Sequence, residues 1–297
     1  MAKTHLNPKL VKLLKNKLIL VTGGSGSIGS QIVKKLLDYP VKSVRVLDIN
    51  EHTLFQLKRE LDNDSRIRML FGNILDKERL SLALKDIDIV IHTAALKNIE
   101  ITEFNPIETI DVNVIGTKNL IQIIKTNEKK NTKFLNLSTD KVADPSTLYG
   151  ITKQLSEKLV SWAGISGNKN HFASVRLGNV FETRGNVFEV WDGQISKKQP
   201  LSITDPKMSR FFFHIEEAVE FILNSLLIMK NGEVFIPKMK SYKILDLANK
   251  KSKKHKIIGL RDGEKLDEIL ITSSEKEIAE EKNDMWILRN NLPRSND

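Results

Sequence analysis

Tyr149 and Lys153 stand four apart in the run Ser138–Lys153, STDKVADPSTLYGITK, which Thr139, Asp140 and Lys141 enter just ahead of them. A spacing of four places a phenol and an ammonium on one face of a helix. A phenol titrates near pH 10, so work as a base near neutrality asks for a drop of about 3 units, roughly 4 kcal/mol. One ammonium at close range in a partly screened site supplies about that much. Such a pair removes a hydroxyl proton, the step that accompanies oxidation of an alcohol carbon. Asp140 and Lys141 add a carboxyl and an amine where a strand is expected to end and side-chain alternation breaks, so both can enter one site. Beside a carbon made acidic by a neighbouring ketone, the amine can take a C–H proton and the carboxyl can protonate a leaving hydroxyl. Those roles require an amine kept neutral and a carboxyl kept protonated. The spacing alone also allows an exposed ion pair on a loop.

A second constellation lies near the start of the chain. Thr22–Gly29 reads TGGSGSIG, with Gly23, Gly26 and Gly29 between an expected strand and an expected helix. A pyrophosphate approaches backbone N–H groups only where no Cβ intervenes, and a following helix turns its positive end to the anion. Asp48 closes the next strand, 19 positions after Gly29. Its carboxylate can accept hydrogen bonds from both hydroxyls of an adenosine ribose and would repel a 2′-phosphate. The expected cofactor is therefore NAD, with NADP disfavoured; for Asp48 alone a helix N-cap is the structural alternative. The residues expected against the cofactor are Gly23, Ser25, Gly26, Ser27, Ile28, Gly29, Asp48, Asn73, Ala94 and Ala95, with Tyr149 and Lys153.

The elements that must position these groups follow from the hydrophobic pattern. Strands are expected at Leu18–Thr22, Val44–Asp48, Ile67–Phe71, Ile87–His92, Phe134–Ser138 and Phe172–Arg176. Helices are expected at Ile28–Leu37, Glu51–Leu61, about Ile107–Thr126 and Leu148–Trp162. Strands alternating with helices specify an α/β fold of the Rossmann type, a doubly wound parallel sheet. Past Phe181 the periodicity weakens, and short strand-like pieces (Leu201–Thr204, Val234–Ile236, Ile257–Leu260) mix with helices such as Glu216–Ile228. The expected organisation is a lead-in helix in 1–17, a cofactor domain in 18–180, and a smaller C-terminal substrate lobe in 181–297 with segments returning to the sheet. In the lead-in, Leu10, Leu13 and Leu14 share one face, which is expected to pack against the body.

At 297 residues, 40% hydrophobic and 28% charged, the composition is that of a globular protein. The absence of cysteine excludes disulfides, thiolate catalysis and Cys-ligated metal, and the six histidines lack metal-site spacing, so no metal site is expected. No apolar run reaches the roughly 20 residues of a membrane span and no signal peptide is evident, so a cytoplasmic protein is expected. The net charge of +10 is spread along the chain, and its one dense run, Lys250–Lys256, lacks interleaved aromatics. A solvated basic surface is expected rather than a nucleic-acid partner.

These motifs resemble those of the UDP-N-acetylglucosamine 4,6-dehydratases, the polysaccharide-biosynthesis branch of the extended short-chain dehydrogenases. Beyond TGGSGSIG, STDK and YGITK, the likeness includes AALKNIEITEFNPIETIDVNVIGTKNL from Ala94, SVRLGNV from Ser174, RGNV from Arg184, ITDPKMSRFF from Ile203, GEVFIPKM from Gly232 and GLRDGEKLDE from Gly259. The resemblance implies oxidation at sugar carbon 4 by NAD with Tyr149, loss of water across carbons 5 and 6 through Asp140 and Lys141, and hydride return to carbon 6. It also implies a UDP-amino-sugar substrate held by Lys97, Asn179, Arg210 and Glu264, and a homo-oligomer, dimer or hexamer. Arg210 can pair with a diphosphate and Glu264 can accept ribose hydroxyls, or each can belong to a structural ion pair. The chain departs from the family pattern at Asn98, where His is common, and at Asp262, where Pro is common and its loss is expected to loosen a turn. The inverting members share Tyr149, so inversion at carbon 5 is expected, although LDINE around Asp48 and the lead-in resemble the membrane-anchored, retaining group. The nearest rival is a UDP-hexose 4-epimerase, which shares the cofactor turn, Tyr149 and Lys153 but needs no acid/base pair.

Overall fold

Runs of β-branched and aliphatic residues form the strands of a computed structural model that describes residues 6–127, 131–166 and 169–289. In chain order the strands are β1 Leu18–Thr22, β2 Ser43–Asp48, β3 Ile67–Phe71, β4 Ile89–His92, β5 Lys133–Thr139, β6 His171–Leu177, β7 Asn179–Val180, β8 Leu201–Ile203, β9 Ser209–Phe213, β10 Val234–Pro237, β11 Lys240–Lys243, β12 His255–Ile257, β13 Ala279–Glu281 and β14 Met285–Leu288. Nine of them build one sheet in the order β3-β2-β1-β4-β5-β6-β10-β14-β13. Pairing is parallel from β3 to β10, and β14 and β13 join antiparallel at the far edge. The strand order reverses between β1 and β4, which opens a crevice at their carboxyl ends. The central strands are buried on both faces, hence their continuous apolar runs.

One apolar core lies under the helices Ser27–Leu37 and Ile215–Ile228, with the lead-in helix Pro8–Leu14 placing Leu10 and Leu14 in it and Leu13 at its margin. A second core on the other face gathers Leu80, Leu120, Ile124, Phe134 and Val160. A small separate core around Trp191, Leu201, Ile203, Phe212 and Leu247 supports β7, β8, β9, β11 and β12. Within the later part of the chain, residues 215–228, 234–237 and 279–288 therefore pack with the large sheet and not with that small core. No helix among the described residues is long and apolar enough to cross a membrane.

Several boundaries differ from the sequence expectation for local reasons. The fourth strand begins at Ile89, and just before it the Asp88 carboxylate accepts the Leu18 N–H at 2.8 Å. The single helix expected over 107–126 is three pieces, Pro106–Ile110, a π-helical turn Asp111–Ile115, and Gly116–Thr126. The wide turn carries Asn113, whose carboxamide both accepts the Leu96 N–H (2.9 Å) and donates to the Leu96 carbonyl (3.0 Å). A π-helical turn in such a helix commonly marks a functional site. The strand expected at 257–260 is His255–Ile257 instead, paired with β8, and Gly259 at φ +83° turns the chain away. The helices Lys77–Leu84, Val187–Ser196 and Ile244–Lys251 were not legible in the pattern; Asp76 and Asn186 cap the first two through side-chain bonds.

Candidate active site

The glycine-rich turn packs against the end of β4 so tightly that side chains are excluded. A Cβ on Gly23, which sits at φ +64°, would lie 2.7 Å from the Ala94 backbone, and one on Gly29 would lie 2.3 Å from the Gly23 carbonyl oxygen. The helix Ser27–Leu37 follows, and its N-cap, Gly26, offers no side-chain bond to the first-turn N–H groups. A cleft of about 310 Å³ opens there, lined by Gly23, Gly26, Ser27, Ile28, Gly29, Asp48, Asn73, Ala94, Ala95 and Lys97, with Leu137 and Thr183 at its inner end. Its floor of bare backbone and free helix N–H groups fits a dinucleotide's pyrophosphate.

Ser25 does not line the cleft. It is buried, and its N–H donates to the Asp48 carboxylate at 3.1 Å while its hydroxyl meets Thr53 at 2.7 Å. The other Asp48 oxygen accepts the Asn50 N–H at 3.1 Å, so the carboxylate is held at the cleft wall. Asn50, not Asp48, caps the helix Glu51–Glu60, accepting the Thr53 N–H at 3.0 Å. Arg184, quoted within a motif but assigned no contact from sequence, ties the later lobe to the turn: its guanidinium donates to the Ser25 carbonyl at 2.7 Å and its N–H to the Ser27 hydroxyl at 2.9 Å. Lys97 in turn donates to the Arg184 carbonyl at 3.0 Å.

The second group assembles where β5 ends. Thr139 leads into a single 3-10 turn, Asp140–Val142, and the helix Leu148–Ile165 follows, capped by Thr147 and by Glu103, which accepts the Leu148 N–H at 2.6 Å. Gly150 lets that helix come close: a Cβ there would stand 2.6 Å from the Lys141 carbonyl oxygen. Asp140 is 1% exposed, and one of its oxygens accepts from the Thr139 hydroxyl (3.0 Å) and the Lys141 ammonium (3.1 Å). Its other oxygen, Oδ2, is buried without a hydrogen-bond partner among the described residues. The Asp140–Lys141 pair is thus buried, unlike an exposed loop ion pair.

A third charge reaches this pair, one that the sequence reading passed over. Glu268, its side chain 8% exposed, lies 3.5 Å from the Lys141 ammonium. The only signal for it was its place at the end of GLRDGEKLDE, where Glu264 drew the attention. Burial works against the charge on Lys141, but Asp140, Glu268 and Tyr149 outweigh it and hold the ammonium above its usual range. In the free protein Lys141 is therefore charged, whereas the role of a base requires a neutral amine.

The cation acting on the phenol also differs from expectation. Burial and the Asp140 charge hold the Tyr149 phenol above its usual range against the pull of Lys141 and a bond with Thr139, so the free protein does not show the lowered phenol expected from the spacing, and Lys153 is not among the groups that shift it. Lys153 is buried, and desolvation lowers it to about 8 against the partial opposition of Glu157. A four-residue spacing puts two side chains on one helical face without making their ends meet. Beneath Lys153, the buried His92 bonds Thr22 (2.6 Å) and Thr117 (3.0 Å), and burial depresses it to about 3, so it stays neutral.

Of the residues expected to hold substrate, only Lys97 lines the cleft. Asn179 donates to the Phe211 carbonyl at 3.1 Å. Arg210 is buried, donates to the carbonyls of Ser209, Lys265 and Leu266, and approaches Glu264 at 3.6 Å. Arg210 and Glu264 thus stand within ion-pair distance of each other. Glu264 belongs to a strap, residues 261–275, laid across the Asp140–Val142 turn, and Arg210 on β9 holds the strap's carbonyls. The strap is fastened by Ser209 N–H to Leu266 (3.0 Å) and by Arg176 to Leu270 (2.9 Å). At Asp262 the turn is closed all the same, by Glu264 N–H to the Arg261 carbonyl (3.0 Å), and Asn98 caps the helix Ile99–Phe104.

Comparison with known proteins agrees with this architecture. The profile of a family described as polysaccharide biosynthesis protein matches residues 19–290. An uncharacterized membrane protein of Methanocaldococcus jannaschii is 44% identical, the match covering 92% of this chain and 86% of the relative. An inverting UDP-N-acetylglucosamine 4,6-dehydratase of Campylobacter jejuni is 42% identical, over 91% of this chain and 81% of the relative. Among solved structures, Pen from Bacillus thuringiensis superposes with a TM-score of 0.89 at 35% identity, covering 94% of this chain and 91% of that one.

Proposed function

The chain belongs to the polysaccharide biosynthesis protein family, and from that premise we propose that it is an NAD-dependent dehydratase that converts UDP-N-acetylglucosamine to a 4-keto-6-deoxy sugar nucleotide with inversion at carbon 5. A nicotinamide dinucleotide in the cleft supplies acceptance of a hydride from carbon 4 and its return to carbon 6. The fixed Asp48 carboxylate, held by Ser25 and Asn50, favours NAD over its 2′-phosphorylated form. Tyr149 takes the proton of the carbon-4 hydroxyl. Lys141 takes the carbon-5 proton, and Asp140 gives a proton to the carbon-6 hydroxyl, which departs as water. Asp140 Oδ2, buried and without a hydrogen-bond partner among the described residues, is the oxygen available for that donation.

The observation that carries this reading is the buried Asp140–Lys141 contact of 3.1 Å beside Tyr149. Oxidation and re-reduction at carbon 4 alone, as in an epimerase, call for no such acid/base pair. Lys141→Ala is expected to abolish water loss from UDP-N-acetylglucosamine while NAD still binds, read by mass spectrometry and by cofactor titration. Full dehydration by that variant would refute the assignment.

A further inference from the structure

Lys141 is charged in the free protein, yet a base must be neutral before it can accept a proton. Its ammonium touches two carboxylates, the adjacent Asp140 at 3.1 Å and the sequence-distant Glu268 at 3.5 Å, and all three side chains are largely withdrawn from water. Glu268 is delivered by fixed backbone: two residues before it the Leu266 carbonyl is held by Ser209 N–H, and two residues after it the Leu270 carbonyl is held by the buried Arg176. The groups facing Lys141 are Asp140 on its own turn, Tyr149 on the helix Leu148–Ile165 and Glu268 on the strap. The strap's Lys265 is engaged with Asp144.

We propose that Glu268 is a positioning residue for Lys141: it holds the ammonium in the resting site and takes the proton that Lys141 must shed to act as the carbon-5 base. The inference rests on the dehydratase reading. The step balances. In the free site Asp140 and Glu268 both face the Lys141 ammonium as carboxylates; the reacting site carries one further proton, taken from solvent by Asp140, so the proton that Lys141 sheds goes to Glu268 and leaves a neutral amine. The carbon-5 C–H bond then breaks, its proton going to Lys141 and its electron pair forming the carbon 5–6 double bond. The carbon 6–oxygen bond breaks as Asp140 donates its proton, and water leaves. Lys141, in contact with both carboxylates, passes a proton to Asp140 and receives the one on Glu268, which restores the starting state.

The test compares Glu268→Gln and Glu268→Asp with the wild-type chain on UDP-N-acetylglucosamine. Steady-state water loss is followed across pH, and carbon-4 oxidation is followed by cofactor absorbance in a single turnover. Glu268→Gln is expected to lower kcat for water loss on the order of 10²-fold, with KM and carbon-4 oxidation within about twofold. Its deficit should shrink as pH rises, because solvent then deprotonates Lys141, and Glu268→Asp should recover part of the rate. Wild-type turnover and pH profile in Glu268→Gln would overturn the proposal, as would a loss confined to KM, which would mean that Glu268 only fastens the strap. If the wild-type chain itself forms no dehydrated product, the dehydratase reading falls and this proposal with it, an outcome visible without any variant.

Discussion

Replacing Arg176 with Met tests whether the strap is locked to the catalytic helix by buried charge. Arg176 is 1% exposed and donates to Glu157 at 2.6 Å and Glu275 at 2.9 Å; their side chains are 5% and 23% exposed. Glu157 lies one turn beyond Lys153 on the helix Leu148–Ile165, and Glu275 is the last residue of the strap, in a capping box with Thr272. Removing the cation strands two carboxylates in a dry site, which costs about 3–5 kcal/mol. With an unfolding entropy of about 2.1 cal/mol/K per residue, the 297-residue chain has a total of about 0.6 kcal/mol/K. A loss of about 4 kcal/mol then lowers Tm by about 6 °C. The pH dependence gives a second check. Burial raises Glu275, but its bond from Arg176 and the charge of that group outweigh this and hold it below its usual range. A depressed carboxylate contributes stability that is present above its unfolded pKa, near 4.5, and is lost as pH falls through its folded value. In Arg176→Met burial loses its strongest counterweight and only the Thr272 bonds still oppose it, so the deficit should be widest at neutral pH and narrow towards pH 5, as seen by thermal melts monitored by circular dichroism. A Tm within about 1 °C of wild type, or a deficit that widens on acidification, would refute the assignment of a buried charge lock.

Two further outcomes follow from the cofactor side of the site. Asp48→Asn removes the charge and keeps one of the two acceptor oxygens that meet Ser25 and Asn50, so NAD should weaken and its 2′-phosphorylated form should tighten, each roughly tenfold; unchanged preference in fluorescence titrations would mean that Asp48 only braces Ser25 and Asn50. Burial lowers Lys153 to about 8, so its ammonium is present below that pH and lost above it. If that charge assists the carbon-4 step, its rate should fall through an alkaline limb near pH 8, and Lys153→Arg should move the limb to higher pH; a flat profile between pH 7 and 9 in the wild type would exclude the assistance.

The glycine turn was legible in sequence because its constraint is local: whether a Cβ fits at Gly23 or Gly29 is decided within the turn and the strand end it abuts. The doubly wound sheet was legible for a similar reason, since buried strands leave unbroken apolar runs. The Asp140–Lys141 pair could be anticipated from its place at a strand end. Glu268 could not, because it reaches Lys141 across more than a hundred residues through a strap with no periodic pattern. The same distance hid the Arg176–Glu275 bond and the turn of Arg210 away from the cleft towards the strap's carbonyls. The break at Asn113 was hidden because its cause, the clamp on Leu96, is tertiary.

The central claim is that this site removes water from a UDP-amino sugar. Purified protein with NAD and UDP-N-acetylglucosamine in deuterated water, followed by mass spectrometry and proton NMR, tests it directly. The account predicts loss of one water and a deuteron at carbon 5, with couplings of the inverted configuration. A carbon-4 epimer formed without loss of water would contradict it.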